Sequence, residues 1–413
     1  MAKKIIISIL ILLILISLGI IGYIVISQNP NLSLAKFSFF TTKNDDQIPK
    51  IPANFFPQAT GTTDIFINTS RPSSSTTASL SEIIKNNPNL AAISALGLTL
   101  LKETQKERVL FVDKSTGNFY EISDQNELLR LTNETILEIG EVYWGKDNTG
   151  ERVILRSSSA GQITNLNSLI KNSTNNAGLS ELTSQVLSSD IKAIVIAPNK
   201  TKFFTLETAG DGIIGYLNDW TGKNKQKIWS FPFGDWQVAW PKDNIVSLTT
   251  TPSGNDSGYL YFLNPTTGTL TKILKGVTGL TTKVSPSGQK LIFSRHNSGK
   301  LSLYLYEIDT KKTSSVGLNT LPEKCLWADD NTLYCAVPRS IPSGLYPDDW
   351  YQGKITFTDD IWKIDTKQKT VILLVVTKGS YDLVNLIVAP KRGWLYAINK
   401  PDNSIQSFSL PLE

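Results

Sequence analysis

The chain has 413 residues, 40% of them hydrophobic, with nine Trp and a formal net charge of +5. One His and two Cys fall short of the usual zinc ligand sets, and no D-x-D-x-D-G loop offers a calcium site. Residues 1–80 carry six Lys/Arg against three Asp, leaving 35 basic and 33 acidic residues in the remainder, which lacks the basic footprint of a nucleic-acid binder.

Residues 5–27 (IIISILILLILISLGIIGYIVIS) hold no charge. As a helix this stretch reaches roughly 34 Å, enough for the ~30 Å hydrocarbon core of a bilayer. Lys3 and Lys4 precede it and the next basic residue is Lys36, so the positive-inside bias predicts a cytoplasmic N-terminus and an extracytoplasmic remainder. The run is long for a signal peptide and no A-x-A cleavage site follows, which favours an uncleaved single-pass anchor over residues 1–27.

Residues 28–88 follow as a tether rich in Ser, Thr, Pro and Asn, with too little apolar surface to offset the entropy of ordering. Within it, DIFIN (64–68) alternates like a strand, and SLSE (79–82) fits a capping box before a short helix.

From residue 89 to 413 the pattern is β. Turns begin at Asp113 (DKSTG), Asn218 (NDWTG), Asn264 (NPTTG), Asp309 (DTKKT) and Asp365 (DTKQK), the last four spaced by 46, 45 and 56 residues and the first gap, 105, about two such steps. A second column runs through Gly145, Pro198, Pro241, Pro286, Ala328 and Pro390, with steps of 53, 43, 45, 42 and 62. A period near 45 that separates hairpins is that of a β-propeller. Six column positions plus the earlier RVLFVDKSTGNFYEIS unit predict about seven four-stranded blades, an all-β domain behind a transmembrane helix. The residue before the column is expected to face the next blade, and Trp144, Trp240 and Trp327 sit there or one position away. The last unit (377–412) shows three clear strands, so a strand from before residue 105, either 64–68 or within 92–101, is expected to complete it and close the ring.

Cys325 and Cys335 flank a turn centred on Asp330, five residues from each. That symmetry places them opposite one another in an antiparallel pair, within bridging range, and an extracytoplasmic location permits oxidation. They are a disulfide candidate.

The stretches TGNFYEIS, VYWGKDNTGERVILR, VAWPKDN, LPEKCLWADDNTLYCAVP and IPSGLYPDDWYQGKITFTDDIWKID resemble those of membrane-anchored propeller proteins of candidate-phyla-radiation bacteria, over most of residues 100–412 and the N-terminal anchor. VSPSGQKLIFS is similar to the WD40-like repeats of TolB-type periplasmic propellers. The resemblance implies a bacterial origin and an anchored propeller, and transfers no site residue.

Enzyme motifs are sparse. GDGIIG (210–215) matches G-x-G-x-x-G, but strand-like IIGYLND follows where a dinucleotide fold needs a helix, so a hairpin loop is expected. G-x-S-x-G and the sialidase Asp box are absent, and a Ser-His-Asp triad would have to use His296, which reads as an exposed turn residue. No catalytic, metal-ligating or cofactor-binding set is predicted.

The 62-residue step contains an insertion, residues 339–358, with Tyr346, Trp350 and Tyr351 beside Asp348 and Asp349, and Asp359 and Asp360 just beyond. Long loops on a repeat scaffold often carry function, and aromatic faces next to acids suit a sugar, a cation or a protein. These five residues are the candidate ligand or partner site; the competing reading folds the aromatics onto the blade and solvates the acids. The expected function is an anchored extracytoplasmic binding or scaffolding module with a protein or glycan partner on a propeller face. The alternatives are a propeller-type hydrolase or lyase acting on envelope polysaccharide or peptide, and a structural subunit of an envelope or secretion assembly.

Overall fold

A computed structural model describes residues 67–68, 90, 93–102, 106–174, 179–232 and 234–410. The expected anchor at 5–27, most of the tether and the 79–82 capping box lie outside the described residues; among these, no helix is long and apolar enough to cross a membrane.

The strands form seven sheets in sequence order. β1 is Ile67–Asn68. Blade 1 follows with β2 Ala95–Lys102, β3 Glu107–Asp113, β4 Phe119–Ile122 and β5 Leu128–Arg130. Blade 2 holds β6 Ile139–Asp147, β7 Gly150–Ser159, β8 Gln162–Thr174 and β9 Ser180–Leu187. Blade 3 holds β10 Ile191–Ile196, β11 Lys202–Ala209, β12 Gly212–Asp219 and β13 Lys225–Phe231. Blade 4 holds β14 Trp236–Lys242, β15 Ile245–Thr250, β16 Ser257–Leu263 and β17 Leu270–Thr278. Blade 5 holds β18 Thr282–Val284, β19 Lys290–Asn297, β20 Lys300–Glu307 and β21 Lys312–Ser315. Blade 6 holds β22 Cys325–Trp327, β23 Thr332–Pro338, β24 Asp359–Asp365 and β25 Thr370–Val375. Blade 7 holds β26 Leu383–Ala389, β27 Trp394–Asn399 and β28 Ile405–Ser409.

Seven blades are therefore present. Six have four antiparallel strands, and the last has three among the described residues. The first strands are the central ones: β2 touches β6 and β26, β6 touches β10, β10 touches β14, and β22 touches β26.

Alternation along each strand explains why the blades stack. Successive side chains point to opposite faces, and both faces are apolar. Val109 and Phe111 pack with Tyr396 and Ile398 of blade 7, whereas Leu110 and Val112 pack with Val153 and Leu155 of blade 2. Cys335 faces blade 5 and Ala336 faces blade 7.

Several local expectations are corrected by the pairing. The turn at Asp113 joins the second and third strands of its blade, whereas those at 264, 309 and 365 join the third and fourth. The same Asx chemistry serves both: Asp113 Oδ1 accepts from Ser115 N (3.0 Å) and Asn264 Oδ1 from Thr266 N (2.9 Å). In NDWTG the capping side chain is Asp219, one residue later than the motif was aligned. The indoles of Trp144 and Trp327 reach the preceding blade, donating to Gly97 O (2.6 Å) and Lys283 O (3.1 Å), while Trp240 donates to Asp243 O in its own turn (3.3 Å). Gly145 of the column packs flat beneath Trp220, where a Cβ would stand 1.8 Å from the ring.

Among the described residues, neither candidate closure strand joins the sheet of blade 7. β1 adds in parallel to β25 of blade 6, pairing Ile67 with Thr370, and 95–102 is the central strand of blade 1. The ring closes through loops. Ser94 bridges Ser404, and Ala95 N donates to Asn403 O (2.8 Å). Arg392 of blade 7 donates to the carbonyls of Glu107, Ile122 and Ser123, and its Nε lies 2.9 Å from Asp124. Tyr396 OH donates to Asn126 Oδ1 (2.5 Å).

Cys325 and Cys335 are direct register partners joined by a disulfide, buried between blades 5 and 6. The cross-link closes a short loop, so replacing both with Ala is expected to cost about 2–3 kcal/mol. Urea unfolding of wild type and double variant measures this, and rapid thiol alkylation of the non-reduced native protein would contradict it.

Candidate functional site

The insertion begins where it ends: Arg339 N donates to Thr358 O (2.8 Å), and the Arg339 guanidinium pairs with Asp360 (2.8 Å). From this neck the loop lies across the N-terminal ends of the central strands. It carries one short helix, α1, Asp348–Tyr351. Asp348 Oδ2 accepts from Gly254 N of blade 4 (2.6 Å), and Asp349 Oδ2 accepts from Leu345 N (2.8 Å), which holds the Asp349 carboxyl below its ordinary range. Tyr346 is fully buried, stacked on Phe357 at 6.0 Å and met edge-on by His296, and burial pushes its phenol up to about 12 with Asp349 adding to the effect. Trp350 is 3% exposed and stacks on Phe357 at 6.4 Å. Tyr351, 37% exposed, donates to Glu323 beside blade 6 and accepts from Gln237 Nε2 of blade 4 (2.8 Å).

The five predicted residues are thus brought together, but Tyr346, Asp348 and Trp350 spend their rings or polar groups on holding the loop to the blades, and Asp349 spends its carboxylate within the loop, on Leu345 N. Tyr351 alone combines exposure with an aromatic face.

Beneath the loop lies a cluster that sequence reasoning missed. Lys324, fully buried, sets its ammonium 2.7 Å from Asp359 Oδ2 and also on Asp382 Oδ1 and Leu383 O. Asp382 Oδ2 accepts from Trp350 Nε1 (2.8 Å) and Phe357 N (3.2 Å). Asp359 Oδ2 accepts from Leu383 N (2.6 Å), while Asp359 Oδ1 has no partner among the described residues. Burial pushes the Asp359 carboxyl up to about 6; Lys324 and the Leu383 N–H oppose that rise, and Asp382 adds to it. Lys324 also stands 5.5 Å from the Trp350 ring and 5.3 Å from that of Phe357. A buried ion set of this kind fixes one arrangement more than it stabilises, because desolvation offsets most of the attraction. Asp359 was visible next to the insertion; Lys324 and Asp382 lie in separate stretches that only the fold joins.

His296 is a half-buried strand residue and not an exposed turn residue. Its Nδ1 donates to Gly254 O (2.9 Å) and its Nε2 accepts from Gly299 N (3.1 Å), so both nitrogens are committed. GDGIIG is the β11–β12 hairpin, with Ala209 paired to Gly212.

At the opposite end, the C-terminal ends of the central strands surround a cavity of about 840 Å³. Four positions of the sequence column, or residues beside them, lie on its wall: Gly145, Pro198, Ala328 and Pro390. Its acids are neutralised: Glu151 and Arg108 pair with each other, Arg108 also holds Glu121 (2.8 Å), and Asp147 holds Arg152 (2.7 Å). Three lysines on the wall, Lys102, Lys146 and Lys200, have no carboxylate partner within ion-pair distance among the described residues. The Lys200 ammonium has Thr99 Oγ1 at 3.5 Å, and burial lowers its pKa to about 8, helped by Lys146 and opposed by Glu151.

No family model matches the chain, and no curated protein matches it. Among solved structures, the fold is similar to an oligogalacturonate lyase in complex with manganese (9% identity, 76% of this chain and 96% of that one, TM-score 0.48). It is also similar to the oligogalacturonate lyase of Vibrio parahaemolyticus (11%, 77% and 98%, 0.49) and to TolB of Acinetobacter baumannii (12%, 75% and 78%, 0.39). At such identities the likeness concerns the fold alone.

The raised Asp359 pKa has a definite sign. Between its ordinary 3.8 and about 6, the folded protein holds a proton that the unfolded chain has released, so this group's contribution favours folding at low pH and is lost as pH rises through 6. The span corresponds to roughly 2–3 kcal/mol. Asp359→Asn is expected to remove that slope, so the stability of the variant relative to wild type rises between pH 4 and 6.5 and is flat above 7. Urea midpoints across this range check it; parallel curves would contradict it.

Proposed function

We propose that the protein is a binding module, anchored by residues 5–27 with its propeller outside the cytoplasm, that receives its ligand or partner at the open channel mouth. The observation that carries this reading is the difference between the two ends of the channel. One is crossed by the 339–358 loop, whose side chains are turned onto blades 4, 5, 6 and 7. The other presents a cavity of about 840 Å³, within the range of small-ligand sites, on a rigid ring of strand ends. The anchor rests on the uncharged stretch and on the basic residues before it. Tyr351 and the outer side of the loop provide a secondary contact surface.

A hydrolase or lyase would use the same mouth, and turnover separates it from a binding module. Ala328 is exposed on the rim, so Ala328→Trp should narrow the mouth without disturbing the core. In native membranes, the full chain is expected to resist carbonate extraction and to crosslink a defined partner that Ala328→Trp loses. Extraction into the soluble fraction would overturn the anchor. Unchanged crosslinking by the variant would overturn the mouth, and conversion of the captured ligand to product would replace binding by catalysis.

A further inference from the structure

We propose that the channel mouth recognises a small multivalent oxyanion, phosphate- or carboxylate-bearing, held between Lys102, Lys146 and Lys200. The inference deepens the reading of the mouth as the ligand site and rests on it. Its basis is the uneven pairing of charge around one cavity. Every acidic side chain on the wall is already matched: Asp147 by Arg152, and Glu151 by Arg108, which also carries Glu121. The three lysines come from different blades or blade junctions: Lys102 ends β2, Lys146 lies near the end of β6, and Lys200 lies in the turn after β10. No ion pair holds them among the described residues, so the described wall has a surplus of cations over the carboxylates that face them.

Lys200 is the informative member. Its backbone is fixed by the fold: its carbonyl accepts from Lys146 N (2.8 Å) and from Trp220 Nε1 (2.9 Å), which ties the turn to blade 2 and to the interior. Its ammonium projects to the wall with Thr99 Oγ1 as a distant neighbour. Groups facing it are Lys146, which disfavours its charge, and Glu151, which favours it but is engaged by Arg108. A fixed cation held beside another cation is costly until an anion arrives, and low-dielectric walls focus the field on that anion. Ammonium groups act as point charges that suit oxyanions from several directions, and the guanidinium forks nearby are already occupied. Asn199 and Thr99 on the same wall supply neutral hydrogen-bonding groups. A cavity of about 840 Å³ leaves room for the neutral body of such a ligand.

The test uses the full chain in detergent at low salt, with tripolyphosphate and citrate as separate probes followed by calorimetry. At least one probe is expected to bind, with affinity that falls as salt is raised, and the stronger of the two names the phosphate or carboxylate source. Lys146→Met combined with Lys200→Met should weaken binding at least tenfold, whereas Lys272→Met, on an outer strand of blade 4, should leave it unchanged. The Lys200 ammonium, followed by NMR, should titrate at higher pH when the probe is bound. No binding by either probe, or binding indifferent to the double variant, overturns the oxyanion assignment. The two readings fail separately. Loss of partner crosslinking in Ala328→Trp without any oxyanion binding keeps the mouth and removes the anion. Lysine-dependent oxyanion binding with crosslinking unaffected by Ala328→Trp keeps the anion site and removes the mouth as the partner site.

Discussion

Burial of both faces of every blade is the constraint on which the rest of the structure depends. Because Val109 and Phe111 serve one interface and Leu110 and Val112 the other, no sheet can satisfy its apolar surface alone, and an open row would leave two faces wet. The seam between blades 7 and 1 therefore decides whether the row becomes a ring. Among the described residues it is built without a shared strand. Arg392 gives its donors to three carbonyls of blade 1, and Tyr396 reaches Asn126, over an apolar layer of Ala95, Leu98, Phe111, Ile398 and Ile405. Hydrogen bonds from a charged donor are stronger than neutral ones, which suits a contact that has no ladder to support it.

The ring has two unlike ends, and the difference comes from one insertion. Its aromatic residues fill the space over the ends of blades 5 to 7, and its short helix brings Trp350 onto Asp382. Below it, Lys324 joins the segment before β22 to the first residue of β24 and the approach to β26. Three separate chain segments are thereby held in one relation, and the loop is fastened to all of them. Among the described residues the other end has no such cover, and there the column of Gly, Pro and Ala residues keeps bulk off the rim while lysines remain.

Much of the fold is legible in the residues because its signals are local. Asp, Asn and Gly mark hairpins wherever backbone amides need a side-chain acceptor, and alternating apolar runs mark strands. Pro198, Pro286 and Pro390 follow the central strand of their blades, and Pro241 is the last residue but one of its own. The same locality explains the errors. DKSTG announces a hairpin without saying which pair of strands it joins, so the first turn was aligned with the wrong position in its blade. DIFIN announces a strand without naming its neighbour, and its end joined blade 6. The neck of the insertion was visible as a break in the period, whereas the fate of Trp350 depended on Asp382, 32 residues away.

By itself the sequence determined the architecture, the approximate number of blades, the opposed cysteines and the place of the extra loop, because each follows from periodicity, turn chemistry or symmetry about a turn. Only the tertiary structure decided which way the loop faces, how the ring closes and which charges lack partners. Those properties depend on distances between residues far apart in the chain: Lys324 meets Asp382, Arg392 meets Glu107, and Lys146 and Lys200 come to one wall. A one-dimensional pattern carries no information about such separations until the blades are stacked.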